Sequence, residues 1–84
     1  MTAEQVAELI RAGLPQAQVR VASDDDTHFE AQIISAAFSG KRSLARHQLV
    51  YATLGNLVGR EIHALSIEAY TPEEWRAHQA HAPR

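Results

Sequence analysis

The chain has 84 residues, 45% of them hydrophobic and 21% charged, which is enough for one compact domain and too little for two. The absence of cysteine excludes disulfides, thiol catalysis, cysteine-based zinc sites and any iron–sulfur cluster held by the chain's own thiolates. A formal charge of -2 gives no global pull toward nucleic acid or an anionic membrane. The opening MTAEQVAELI, with Glu4 and Glu8, lacks the basic-then-apolar pattern of an export signal, so a cytoplasmic protein without a membrane segment is expected.

Residues Thr2 to Gly13 predict an amphipathic helix, because Ala3, Val6, Ile10 and Leu14 recur at three- and four-residue spacing. Thr2 can cap it, and Gly13 with Pro15 ends it. Gln18 to Ala22 alternates polar and β-branched residues as a half-buried strand does, Ser23 to Asp26 form a polar turn, and Phe29 to Ile34 alternates again. These two segments read as a hairpin. After a connection through Phe38 and Gly40, a second helix is expected from about Ser43 to Val58, with Leu44, Tyr51, Leu54 and Val58 as its apolar stripe and Gly59 as its stop. Glu61 to Tyr70 has period two, with His63, Leu65 and Ile67 on one side, and predicts a third strand.

Thr71-Pro72-Glu73-Glu74 then combines an N-cap threonine, proline at the first helical position and glutamate at the third, a capping box that opens a short helix. Trp75 is expected to fold back onto the body, which sets residues 1–76 as the domain and 77–84 as a flexible tail. The order calls for an α+β domain with helices packed on one face of a three-stranded sheet.

Several residue groups invite a chemical reading. Lys41, Arg42 and Arg46 gather at the start of the second helix, where exposed amides and the macrodipole already favour anions. The plainer reading is a solvated helix entrance. A Gly-X-X-Gly clamp for a nucleic-acid backbone is missing, since Ser43 stands three residues after Gly40. Asp24, Asp25 and Asp26 lack the ligand spacing of a calcium loop and read as an exposed turn. His78 and His81 share a helical spacing suited to a metal but have no third ligand, and His47 has no metal partner one turn away. No nucleophile triad, P-loop or dinucleotide fingerprint is present, and the expectation is a protein that is not an enzyme.

The element order and three stretches together resemble the BolA family from about Val6 to Trp75. The stretches are Thr27-His28-Phe29, Phe38-Ser39-Gly40-Lys41 leading to Arg46-His47-Gln48-Leu49-Val50-Tyr51, and Ile62-His63-Ala64-Leu65 leading to Tyr70-Thr71-Pro72-Glu73-Glu74-Trp75. The resemblance implies an αββαβ fold with a terminal helix, similar to the class II KH domain. It also implies an adaptor that binds a monothiol glutaredoxin and shares a [2Fe–2S] cluster with it and its glutathione, in iron–sulfur homeostasis. The family's invariant histidine falls on His63, and the loop position that carries Cys or His in different members is His28, so those two are the implied cluster ligands. Iron in such a centre accepts imidazole in place of thiolate. No cluster is expected in the isolated chain, and the histidine in place of cysteine points to a regulatory or storage complex. The alternative is a nucleic-acid-binding transcriptional regulator of stress or envelope genes that uses Lys41, Arg42 and Arg46. Pairing of two copies through the third strand's edge stays open.

Overall fold

A computed structural model describes residues 1–80 of the chain. Thr2 opens α1 (Ala3–Gly13) through a capping box in which its hydroxyl accepts from the Gln5 N–H and the Gln5 side chain accepts from the Thr2 N–H. The helix buries Val6, Ala7 and Ile10 and hands over to β1 (Gln18–Ala22). β1 turns back into β2 (His28–Ile34) with antiparallel register from Gln18 opposite Ile34 to Ala22 opposite Glu30. A 3-10 turn (Ala36–Phe38), capped by the Ser35 hydroxyl, leads to α2 (Ser43–Leu54), which carries the chain across to β3 (Ala64–Tyr70). β3 lies parallel to β2, from His28 opposite Ala64 to Ile34 opposite Tyr70, so the sheet is mixed and its order is β1-β2-β3.

The residues expected to alternate do so. Val19, Phe29, Ala31 and Ile33 are buried against Val6, Ala7 and Ile10 of α1 and Val50 and Leu54 of α2, and Leu65, Ile67 and Ala69 of β3 pack on the same cluster. Phe29, Phe38, Ile10, Ile33, Ile62, Val6 and Val50 are the largest fully buried side chains. At about 1.5–3 kcal/mol for each such side chain taken out of water, this cluster supplies the main driving force for folding.

The second helix departs from expectation in length and in phase. It ends at Leu54, where Gly55 turns out at φ 59°, a conformation that side-chain-bearing residues rarely adopt, rather than running to Val58 and stopping at Gly59. Its buried side chains are Val50 and Leu54, whereas Leu44 and Tyr51, expected in the apolar stripe, face solvent. Val58 belongs instead to a loop, where it bridges to Ile62. β3 correspondingly starts at Ala64 and not at Glu61, leaving His63 just outside the strand.

The predicted capping box at Thr71 forms: its hydroxyl accepts from the Glu74 N–H and its own N–H donates to the Glu74 carboxylate. The helix it opens, α3 (Pro72–Ala80), continues past Arg76. Trp75 does fold back, its ring centre 5.3 Å from that of Tyr70 and 5.3 Å from that of His78. Trp75 and Gln79 border a hollow with Gln18, Arg20, Gln32 and Ile34.

Candidate functional site

Parallel pairing of β2 and β3 places the entry points of both strands side by side, and that is where the two candidate ligands sit. The Thr27 carbonyl accepts from the N–H groups of both His63 and Ala64, which fixes the start of β3 against the turn that precedes β2. The imidazoles of His28 and His63 consequently meet edge to face, with centroids 5.3 Å apart and planes at 82°. Both side chains are exposed, so their unshared ring nitrogens are open to an incoming group.

The acidic turn that reads as mere surface in the sequence shapes this site. Asp25 accepts through Oδ1 from the backbone N–H groups of Thr27 and His28, and its Oδ2 lies 2.7 Å from His28 Nδ1. The His28 N–H, the His28 ring and the Thr27 N–H, in that order of weight, hold its carboxyl well below the usual carboxylate range. An ionised carboxylate only accepts, so Nδ1 carries a proton, and whenever the ring is neutral it is Nε2 that holds the free lone pair. This is how a carboxylate orients a metal-binding imidazole. Ser23 completes the turn, its hydroxyl donating to the His28 carbonyl and accepting from the Asp26 N–H. A hollow of about 550 Å³ opens beside His28, bordered by Ser23, Asp24, Asp25, Glu30 and Ser66.

Two imidazoles are half of the four ligands a [2Fe–2S] centre needs. Among the described residues no group of three or more His, Cys, Asp or Glu is arranged to hold a metal ion. His28 and His63 could therefore fill at most two ligand positions of such a centre, and the described residues offer no set that would complete it.

The three basic residues grouped at the start of α2 have different surroundings in the fold. Lys41 and Arg42 are exposed ahead of α2, and the helix has no side-chain cap. Arg46 turns inward: its Nε donates to the Lys41 carbonyl at 2.7 Å, one Nη to the Ala69 carbonyl at 3.1 Å, and both Nη atoms to the Glu74 carboxylate. Its guanidinium also lies 5.9 Å from the Phe38 ring centre. With 12% of its side chain exposed, Arg46 is a clamp joining α2, β3 and α3 rather than a free cation. The remaining histidine candidates stay apart from the pair. His47 is half-buried on α2 and His78 stacks on Trp75, while His81 lies outside the described residues.

A small α+β domain with a mixed three-stranded sheet and an exposed pair of histidines at its parallel seam is the class this geometry defines. Residues 10–74 match the family model described as BolA-like protein, and the chain belongs to that family. It is 42% identical, over 90% of its length and 92% of the relative's, to a protein of Acinetobacter guillouiae described as an uncharacterized protein in the rpoN-murA intergenic region. It is 30% identical, over 94% of its length and 84% of the relative's, to the DNA-binding transcriptional regulator BolA of Escherichia coli K12. A solved BolA homologue from Coxiella burnetii superposes with a TM-score of 0.81 at 39% identity, covering 90% of this chain and 97% of that one. These relatives are named as regulators or uncharacterized proteins and not as enzymes. No helix among the described residues is long and apolar enough to cross a membrane.

Proposed function

We propose that this protein is a non-enzymatic adaptor that binds a monothiol glutaredoxin and contributes His28 and His63 to a [2Fe–2S] cluster bridging the two. The observation that carries the reading is the edge-to-face contact of the two exposed imidazoles at 5.3 Å, one of them oriented by Asp25. The cluster would supply a redox-active, exchangeable iron centre, and the thiolates would come from the glutaredoxin and its glutathione. This chain's own part is to present two neutral ring nitrogens and to supply no other ligand, which is why the isolated chain should bind no cluster.

The test is a visible absorption and circular dichroism titration of a glutathione-loaded, cluster-bearing monothiol glutaredoxin with this protein, run beside His63→Ala and His28→Ala. A changed cluster spectrum at one-to-one stoichiometry, lost in His63→Ala and weakened in His28→Ala, is the expected result. An unchanged spectrum with no complex would remove the adaptor reading.

A second reading, regulation through nucleic acid, is favoured by the name of the Escherichia coli relative. Here it would rest on Lys41 and Arg42 alone, since Arg46 is engaged internally. Two phosphate contacts give a log–log salt slope of only about -2. Such binding would survive His63→Ala, which separates it from the first reading.

A further inference from the structure

Residues 31–60 include Lys41, Arg42, Arg46 and Arg60 and no aspartate or glutamate; every carboxylate side chain of the protein lies outside them. A net charge of -2 thus conceals a cationic entrance to α2, where Lys41 and Arg42 remain after Arg46 pairs with Glu74. The exposed large apolar side chains stand on the same helix, Leu44 at 71% and Tyr51 at 39% exposure. Seven positions apart, they share one helical face about 10 Å along the axis, with exposed Gln48 between them. Lys41 and Arg42 lie just before the first turn, are exposed, and make no ion pair among the described residues. The first-turn amides of α2 also receive no side-chain cap, which leaves that end of the face receptive to carboxylates.

We propose that this face of α2 docks an acidic amphipathic helix of a partner protein, with the partner's apolar stripe on Leu44 and Tyr51 and its carboxylates on Lys41, Arg42 and the helix entrance. The apolar side chains favour a protein over nucleic acid, because an aliphatic side chain as exposed as Leu44 gains nothing against a phosphate backbone and the third cation of the group is engaged internally. Two apolar side chains are also too few for an interfacial helix to enter a bilayer. Their i and i+7 spacing sets both on one stripe of α2, along which the apolar face of a second helix can pack. A contact this small corresponds to weak, exchangeable binding, roughly 10 μM to 1 mM.

The experiment uses the full chain, ¹⁵N-labelled, and a synthetic peptide of about 15 residues, rich in Glu and Asp, with leucines at i, i+4 and i+7. A peptide of the same composition with the leucines scattered around the helix, a short DNA duplex and phosphatidylserine vesicles serve as the comparison probes. The expected result is amide shifts centred on Leu44, Gln48 and Tyr51, with affinity about tenfold lower in Leu44→Gln and lower again in Lys41→Glu/Arg42→Glu. Leu44 is exposed and glutamine is a good helix former, so that variant should remain folded. His63→Ala should bind the peptide normally, which keeps this surface separable from the histidine site. Equal binding of the scattered peptide, unchanged binding in Leu44→Gln, or no shifts at about 1 mM peptide would each overturn the proposal. Shifts of the same amides by DNA or by vesicles, without shifts by the peptide, would overturn it in favour of those partners.

Discussion

Asp25 has most of its bonding capacity in use. One carboxylate oxygen holds two backbone N–H groups of the turn and the other holds the His28 ring. Replacing it with asparagine keeps an oxygen for the backbone but removes the ionised partner that fixes the ring's proton on Nδ1. In the proposed complex, Asp25→Asn should therefore weaken cluster retention about 10–100-fold, as loss of such an orienting group does, while barely moving the thermal midpoint of the free protein. The cluster spectrum during dilution and a melting curve read these two quantities separately. If both fell together, Asp25 would be holding the turn and not the imidazole. Neither this role nor the contact between His28 and His63 can be seen from Ser23-Asp24-Asp25-Asp26 in isolation. Three consecutive carboxylates look alike in sequence, and only the backbone path, with Asp26 at φ 58°, decides which one reaches back to the strand.

Among the elements, α1 and α2 approach each other at a glycine whose role differs from the one its position suggests. Gly13 reads as a helix stop, yet it is the last residue of α1, and Leu14 supplies the C-cap. A Cβ built on Gly13 would lie 2.5 Å from Thr53 Cγ2 and 2.8 Å from Thr53 Cβ on α2, and Thr53 is itself held by a bond from its hydroxyl to the Val50 carbonyl. Glycine to alanine in a helix ordinarily stabilises by about 1 kcal/mol. Here Gly13→Ala should destabilise instead, by about 1–3 kcal/mol through overpacking, in urea denaturation. A gain in stability would show that the two helices can part at no cost. The ends of α1 and the strands β1 and β2 were legible because caps and alternation are local. α2 is legible in type and only partly in phase: Leu54 is buried as its place in the stripe predicts, but Leu44 and Tyr51 count as hydrophobic in any periodicity, and nothing local reports that they face solvent while Val50 is covered. Val58 and Ile62 mislead in the same way, since a loop bridge between a half-buried and a buried apolar residue imitates a helix end followed by a strand.

For the molecule as a whole, the bonds of Arg46 to Glu74 and to the Ala69 carbonyl join three elements that the chain visits at different times. They escaped a sequence reading because Arg46 stands beside Lys41 and Arg42, while Glu74 lies far downstream in a motif already explained as a cap. Glu74 is held down to about 2 from its usual 4.5, first by the Arg46 guanidinium and then by the Thr71 N–H. A depressed carboxylate contributes stability that is complete above its unfolded value and is lost as pH falls toward its folded one. The stability gap between the wild type and Glu74→Gln should accordingly be constant above about pH 5 and close between 4.5 and 2. Denaturant midpoints measured across that range check it, and a gap that persists unchanged at pH 2 would mean that the carboxylate charge is not what the clamp uses.

The parallel seam between β2 and β3 has a consequence for when the protein becomes competent. An antiparallel hairpin can bring its residues together while the chain is still emerging, but a parallel pair must wait for the whole crossover, here the 3-10 turn, α2 and the loop after it, to be laid down and packed. His28 and His63 belong to opposite sides of that crossover. A nascent or half-folded chain in which the seam is not yet paired thus lacks the joined imidazoles, so a partner that requires both would pass over such chains and engage only the finished domain.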